Sequence, residues 1–301
     1  MAHRVKLSSG SETVGKRWRP HGRACAAGVL LAGLLGIAPL ASSAQAATVG
    51  LGTADSFAVL AGSAVTNTGP SVISGNLGLS PGATSSVTGF PPGTVNGGTI
   101  HAADGVALQA QKDLTTAYND AAGRSSTQTI SADLAGRTLT PGVYTSASSL
   151  SLSGDLTLNG EGNSNAVFVF KAGSTLTSGS GSRVSLIGGA QPCNVFWQVG
   201  SSATIGTTSA FVGNILALQS ITMTTKATLD GRALARNGAV TLDSNTITKA
   251  ECAAVKTKPK PKPKKHKPKP KKHKPKPKKH KPKPKHKTSP THALKPPGFT
   301  G

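Results

Sequence analysis

The chain has 301 residues with 34 Lys and Arg against 11 Asp and Glu, a formal net charge of +23. The excess is concentrated at the two ends. Residues 256–301 hold 19 Lys and no acid, residues 1–47 hold six basic side chains and one acid, and residues 48–255 keep nine basic and ten acidic ones (34 − 19 − 6 and 11 − 1). A nucleic-acid-binding fold, which needs a basic folded surface, therefore loses its support, and the middle reads as one near-neutral domain large enough for a single core.

Met1 to about Ala46 reads as a secretory signal peptide. Lys6, Lys16, Arg17, Arg19 and Arg23 give a basic start, residues 26–40 a short apolar stretch, and Ala44-Gln45-Ala46 a small-residue cleavage site. The apolar run falls short of the roughly 20 residues that span a bilayer, and Gly28, Gly33, Gly36 and Pro39 interrupt it. No transmembrane segment is expected after cleavage. The expected organisation is a leader over 1–46, a folded domain over 47–252 and a tail over 253–301.

Residues 48–98 open with Phe57-Ala58-Val59-Leu60 and continue VTNTGPSVISGNLGLSPG. Short β-type runs broken by Gly, Asn and Pro read as strands and turns. Residues 101–123 read as a helix: Ala103, Ala107, Ala110, Leu114, Ala117 or Tyr118, and Ala121 recur on one face, and Gly123 stands where a C-terminal cap belongs. A stripe of mostly alanine suits close packing on a flat surface.

From 142 to 244 the sequence says nearly the same thing five times: GVYTSASSLSLSG, AVFVFKAGSTLTSG, NVFWQVGSSATIGT, GNILALQSITMTT and GRALARNGAVTLDS. Each is a mainly apolar strand, a small-residue corner, and a short strand alternating small polar with aliphatic. The starts lie 24, 28, 19 and 18 residues apart (166 − 142, 194 − 166, 213 − 194, 231 − 213). Repeats of this length and build predict an all-β solenoid in which each coil buries its inner face against its neighbours.

These runs also carry a resemblance. FAVLAGSAVTNTG, GFPPGTV, DLTTAYNDAAGR, LTPGVY, CNVFWQVGSSATIGT, GNILALQSIT and GRALARNGAVTLD, in one order over almost all of 48–248, resemble the secreted microbial ice-binding protein family. The resemblance implies a three-sided, discontinuous β-solenoid with one long helix packed alongside, the N-terminal segment completing coils beside the C-terminal ones. Family members with a capping insertion carry it before the helix. Only residues 80–99 occupy that place here, so no head subdomain is expected.

In the second strand of each repeat, alternation sends successive residues to opposite faces. Aligning the aliphatics predicts an inward ladder of Leu152, Leu176, Ile205, Met223 and Leu242. The outward ladder is then Ser151, Thr175, Thr204, Thr222 and Thr241, followed two positions on by Ser153, Thr177, Gly206, Thr224 and Asp243. Hydroxyls would recur about every 4.7–4.9 Å between coils and roughly 6.6–6.8 Å along a strand, a flat grid resembling oxygen spacings on ice. The candidate ice-binding residues are Ser151, Ser153, Thr175, Thr177, Thr204, Thr222, Thr224 and Thr241. A plain solvated β face, on which Ser and Thr are common, stays open as the alternative.

An enzyme is not expected. His101 is the only histidine in 47–252, Asp104, Asp113, Asp120, Asp133, Asp155, Glu161, Asp230 and Asp243 show no paired spacing, and no zinc-ligand set or phosphate-binding loop occurs. No catalytic residue, metal or cofactor is assigned. Cys193 and Cys252 are the two cysteines left after leader removal, and in an exported protein they are expected to form a disulfide. Beyond Cys252, KPKPKKH repeats three times and then shortens to KPKPKH. Like charges and alternating Pro predict a disordered, extended arm. Its expected partners are anionic cell-wall or cell-surface polymers, and no specific nucleic acid. His266, His273, His280 and His286, seven or six apart, make a weak metal set. The expectation is a secreted, monomeric ice-binding protein held near the cell surface; the rival is a structural surface protein or adhesin on the same scaffold.

Overall fold

The structure, a computed structural model, describes residues 46–253; the expected leader and the lysine-rich arm, apart from Ala46 and Ala253, lie outside the described residues. Residues 57–248 wind into a parallel β-solenoid of three faces. The strands are three to five residues long on most faces because small residues turn the chain at each corner.

The first face carries Gly142–Ser146, Phe168–Ala172, Val195–Val199, the second halves of Ala210–Ala217 and Thr228–Ala235, then Phe57–Ala61 and Asn76–Leu79. Its strands are apolar on both sides, as expected where both are covered. Tyr144, Phe170, Trp197, Ile215, Ala233, Val59 and Leu77 form one inward ladder. The rings of Tyr144, Phe170 and Trp197 stack at 5.3 and 4.1 Å between centroids. On the outer side Val143, Val169, Phe196, Leu216, Leu234 and Leu60 meet the helix in a second apolar core.

Leu150–Leu152, Leu176–Ser178, Ala203–Ile205, Ile221–Met223, Val240–Asp243, Val65–Thr68 and Val87–Thr88 form the second face, a separate seven-stranded sheet. The third face carries Asp155–Asn159, Arg183–Ile187, the first halves of the two long strands, Thr246–Thr248, Val72–Ser74 and Thr94–Asn96. The long strands pass from the third face to the first through Gly213 and Gly231. These two lie over one another, and a Cβ on Gly231 would come within 1.9 Å of the Gly213 carbonyl oxygen. Only glycine lets the two backbones turn this edge in contact.

The order of coils is not the order of the chain. Leu60 pairs with Leu234, Val65 with Val240 and Val72 with Thr246, so the N-terminal segment stacks on the coil made by 231–248. Residues 80–99 complete the last coil through Val87–Thr88 and Thr94–Asn96.

The helix runs over Gly105–Gly123 rather than from residue 101. His101 instead extends the strand Ile100–Ala102 against Leu77–Leu79, and Ala103 takes a positive φ of 56°. Asp104 then caps the helix, its Oδ1 accepting from the Ala107 amide at 2.8 Å. Gly123 is the last helical residue and Arg124 the C-cap. The helix is also hydrogen-bonded in place. Asp113 accepts from the amide and hydroxyl of Thr53 at 2.7 Å each, and Gln111 donates to the Ala235 carbonyl at 3.1 Å.

Two ties hold the chain ends. The Sγ atoms of Cys193 and Cys252 are joined, with Cα atoms 5.4 Å apart. Arg232, only 2% exposed, donates to Asp55 Oδ1 at 2.6 Å, to the Asp55 carbonyl at 2.8 and 3.0 Å, and to Asn214 Oδ1 at 2.8 Å. The Asp55 carboxylate stands largely in water, so the charge pair itself adds little. The buried acceptors decide the cost of losing the guanidinium. Arg232→Met, which keeps the stem, is expected to cost about 2 kcal/mol through unsatisfied acceptors. That is a melting temperature about 4–8 °C lower for a domain of this size. Differential scanning calorimetry checks it, and an unchanged melting temperature would mean that the N-terminal segment is held by apolar packing alone.

Candidate functional site

The second face is built from alternation. Leu150, Leu176, Ala203, Ile221, Val240 and Val65 point inward and are at most 1% exposed. The next residue of each strand points out. Register places Ser151, Thr177, Thr204, Thr222, Thr241, Thr66 and Thr88 in one column across all seven strands, and each of them carries a hydroxyl. At about 4.8 Å per strand the column is roughly 29 Å long.

This corrects the predicted ladder in one repeat. Ser151 pairs with Thr177, not Thr175, and Leu176 pairs with Leu150 rather than Leu152. The inward place beside Leu152 is taken by Ser178, a buried serine whose Oγ accepts from the Gly206 amide at 2.9 Å. An alignment on aliphatics alone skips such a position. The slip is two residues, so Thr175 keeps its face but lies in a flanking column with Ser149, Ser202, Ser220, Ala239 and Ala64. Its hydroxyl donates to Ser149 Oγ at 2.8 Å.

The column on the other flank is irregular. Ser153 bonds to Asp133, Thr224 donates to the Ile205 carbonyl at 2.9 Å, and Asp243 accepts from Thr225 at 2.5 Å. Gly206 has no room for a side chain there: a Cβ would meet the Gly179 and Ser178 carbonyl oxygens at 2.6 Å. Of the predicted residues, Ser151, Thr177, Thr204, Thr222 and Thr241 share the central column, while Thr175, Ser153 and Thr224 sit beside it. Thr66 and Thr88 were not anticipated, although Val65-Thr66-Asn67-Thr68 repeats the pattern of Val240-Thr241-Leu242-Asp243.

The hydroxyls of this column are mostly not consumed by the protein. Ser151 donates to the Ala132 carbonyl and Thr66 to Thr241, whereas Thr177, Thr204, Thr222 and Thr88 have no partner among the described residues. Of the outward residues on these described strands only Asp243 is charged. The other faces differ. The first is covered by the helix, and the third carries Asp155 and Arg183 side by side, Asp230, and Ile187 at 48% exposure.

Six of the carboxylates have structural work. Asp55 holds Arg232, Asp104 caps the helix, Asp113 holds Thr53, Asp120 pairs with Arg124, Asp133 binds the Ser153 strand, and Asp243 takes Thr225. Hydrogen bonds keep three of them below the ordinary carboxylate value of 3.8: Asp113 through Thr53, Asp133 through Ser153, and Asp104 through the Ala107 amide and His101. A depressed folded-state pKa stabilises the fold above the unfolded value and is lost as pH falls through the folded one. Stability is therefore expected to fall progressively below pH 3.8. The hydroxyl column itself does not titrate, so any activity it carries should stay level from about pH 5 to 9. Melting curves and activity measured over the same pH series check both halves.

The second face thus presents one column of regularly spaced hydroxyls on a parallel β-solenoid, the class of fold that the comparisons with known proteins also find. The ice-binding-like family model matches residues 59–248. An ice-binding protein of Nostoc sp. (strain HG1) is 56% identical over 212 residues, covering 69% of this chain and 77% of the relative. One from Flavobacterium frigoris (strain PS1) is 36% identical, with 66% and 76% covered. The crystal structure of an ice-binding protein from an Antarctic biological consortium superposes with a TM-score of 0.66 at 54% identity, over 68% of this chain and 92% of that one. The chain belongs to the ice-binding-like family.

Proposed function

We propose that the protein is exported and adsorbs to ice through the second face, with Thr177, Thr204, Thr222, Thr241 and Thr66 at the centre of contact and Ser151 and Thr88 at its ends. The observation that carries this is the unbroken seven-hydroxyl column on a sheet backed by a buried apolar ladder, with Asp243 the one outward charge beside it. Each Thr offers a hydroxyl to an ordered water and a methyl that restrains its neighbours. One water held this way gains little, since fixing it costs about 0–2 kcal/mol. Many sites acting together on a face that does not rearrange make adsorption firm. Thr175, Ser153 and Thr224 border the contact.

The lysine-rich arm is assigned a separate task, attachment to anionic polymers at the cell surface. Thermal hysteresis and inhibition of ice recrystallisation by the purified protein test the first reading. Activity no greater than that of an inert protein at equal concentration would leave a structural surface protein or adhesin as the function.

A further inference from the structure

We propose that the third face carries a groove for a neutral saccharide chain, lined by Asp230, Thr248, Ser74 and Asn96. This site goes beyond the ice-adsorption reading and does not depend on it.

Register puts the four residues in one row. Asp230 pairs with Thr248, Thr248 with Ser74 and Ser74 with Asn96, each at the second outward position of its strand. Three strand spacings make the row roughly 14 Å long. It differs from the Thr column of the second face in two ways. The row mixes a carboxylate, two hydroxyls and a carboxamide, and it has walls. The groove around it measures about 500 Å³, within the size range of ligand sites. Pro192, Lys249 and Glu251 wall it, and Gly75 and Gly97 leave its rim open. The wall is held in place. Lys249 Nζ meets Glu251 at 3.1 Å, the Lys249 amide donates to the Ser74 carbonyl at 3.0 Å, and Pro192 and Glu251 each adjoin a cysteine of the Cys193–Cys252 bridge.

None of the four side chains has a partner among the described residues. The walls take water from Asp230, and burial pushes its carboxyl above the ordinary 3.8 with no hydrogen bond opposing the shift. A partly desolvated carboxylate without a donor gains from acquiring one. Sugar hydroxyls are such donors, and a carboxylate can accept two at once. The Asn96 carboxamide and the two hydroxyls can donate to others and accept from them. Past Asp230 the hollow continues over Val212, an apolar patch suited to the C–H face of a ring. Asp230 and Glu251 disfavour a polyanion here, whereas a neutral chain meets no such repulsion.

The test titrates the isotope-labelled full chain separately with maltohexaose, cellohexaose and chitohexaose. Each is taken to about 10 mM, tenfold above the expected Kd of about 1 mM. At least one sugar should move the amide resonances of Gly75, Gly97, Asp230 and Thr248 and leave those of Thr204 and Thr222 in place. Asp230→Ala, which alters an outward side chain, should keep the parent spectrum elsewhere and weaken binding about tenfold, as expected for losing hydrogen bonds to a charged group. Asn96→Ala should weaken it less. Both variants should keep the parent's thermal hysteresis.

No shift in the groove with any of the three sugars would overturn the site. So would sugar binding that Asp230→Ala leaves unchanged. Shifts of the same amides by calcium chloride and by no sugar would also overturn it, in favour of a cation site. None of these outcomes bears on ice adsorption, which thermal hysteresis reads separately.

Discussion

Thr204→Tyr and Thr222→Tyr together are expected to weaken adsorption to ice by about tenfold or more, ~1.4 kcal/mol, and so to remove most of the thermal hysteresis. Both residues sit mid-column on adjacent coils, and neither hydroxyl has a protein partner among the described residues. Two rings there would stand proud of the sheet and hold the flanking threonines off a flat surface. The fold should not suffer. The side chains point outward, the inward neighbours Ala203 and Ile205 are untouched, and tyrosine is well tolerated in strands. Two controls sharpen the result. Thr175→Tyr, in the flanking column, should cost less, and Thr228→Tyr on the third face should cost almost nothing. Equal losses from Thr228→Tyr and from the mid-column pair would show that the third face does the binding.

Trp197→Ala is expected to be the most damaging single change to stability. The indole is 1% exposed, stacks on Phe170 at 4.1 Å and leans on Phe211 at 4.9 Å, and its Nε1 donates to the Val212 carbonyl at 2.9 Å. Truncation loses the burial of the ring, opens a cavity between coils that are held in register on both sides, and leaves a carbonyl unpaired. Such substitutions cost about 3–5 kcal/mol. At about 2–4 °C per kcal/mol for a domain of this size, the melting temperature should fall by roughly 6–20 °C. Below its own transition the variant should still bind ice, because the Thr column lies on another face. A fall of less than about 3 °C, under 1–2 kcal/mol on the same scale, would mean that the stack of rings adds little to coil cohesion.

The solenoid and its inside–outside pattern were legible because each coil repeats one local rule, apolar strand, small corner, alternating strand. What stayed hidden depends on pairing at a distance. Nothing in the periodicity says that Thr66 comes to lie beside Thr241, 175 residues away, with hydroxyls 3.3 Å apart. That order of coils was expected from family likeness alone, and without it the column would end at Thr241. The register error has a local cause. Ser178 fills an inward place that the pattern reserves for an aliphatic, and it is satisfied there by the Gly206 amide and by Ser209. The helix starts later than the pattern suggests because an alanine-rich stripe does not show that His101 belongs to the strand before it and Asp104 to the cap. The gap at Gly206 was visible in the sequence; its reason, a corner where the backbones of neighbouring coils leave no space for a Cβ, was not.

Adsorption of ice on the second face can be measured on a growing crystal. The most direct measurement freezes a dilute solution of fluorescently labelled protein slowly onto a single-crystal ice seed and reads the label in ice against the label left in liquid. The parent should be taken into the ice on defined crystal planes, and the Thr204→Tyr/Thr222→Tyr variant, equally well folded by circular dichroism, should be rejected into the liquid. Exclusion of the parent, or equal uptake of parent and variant, would contradict it.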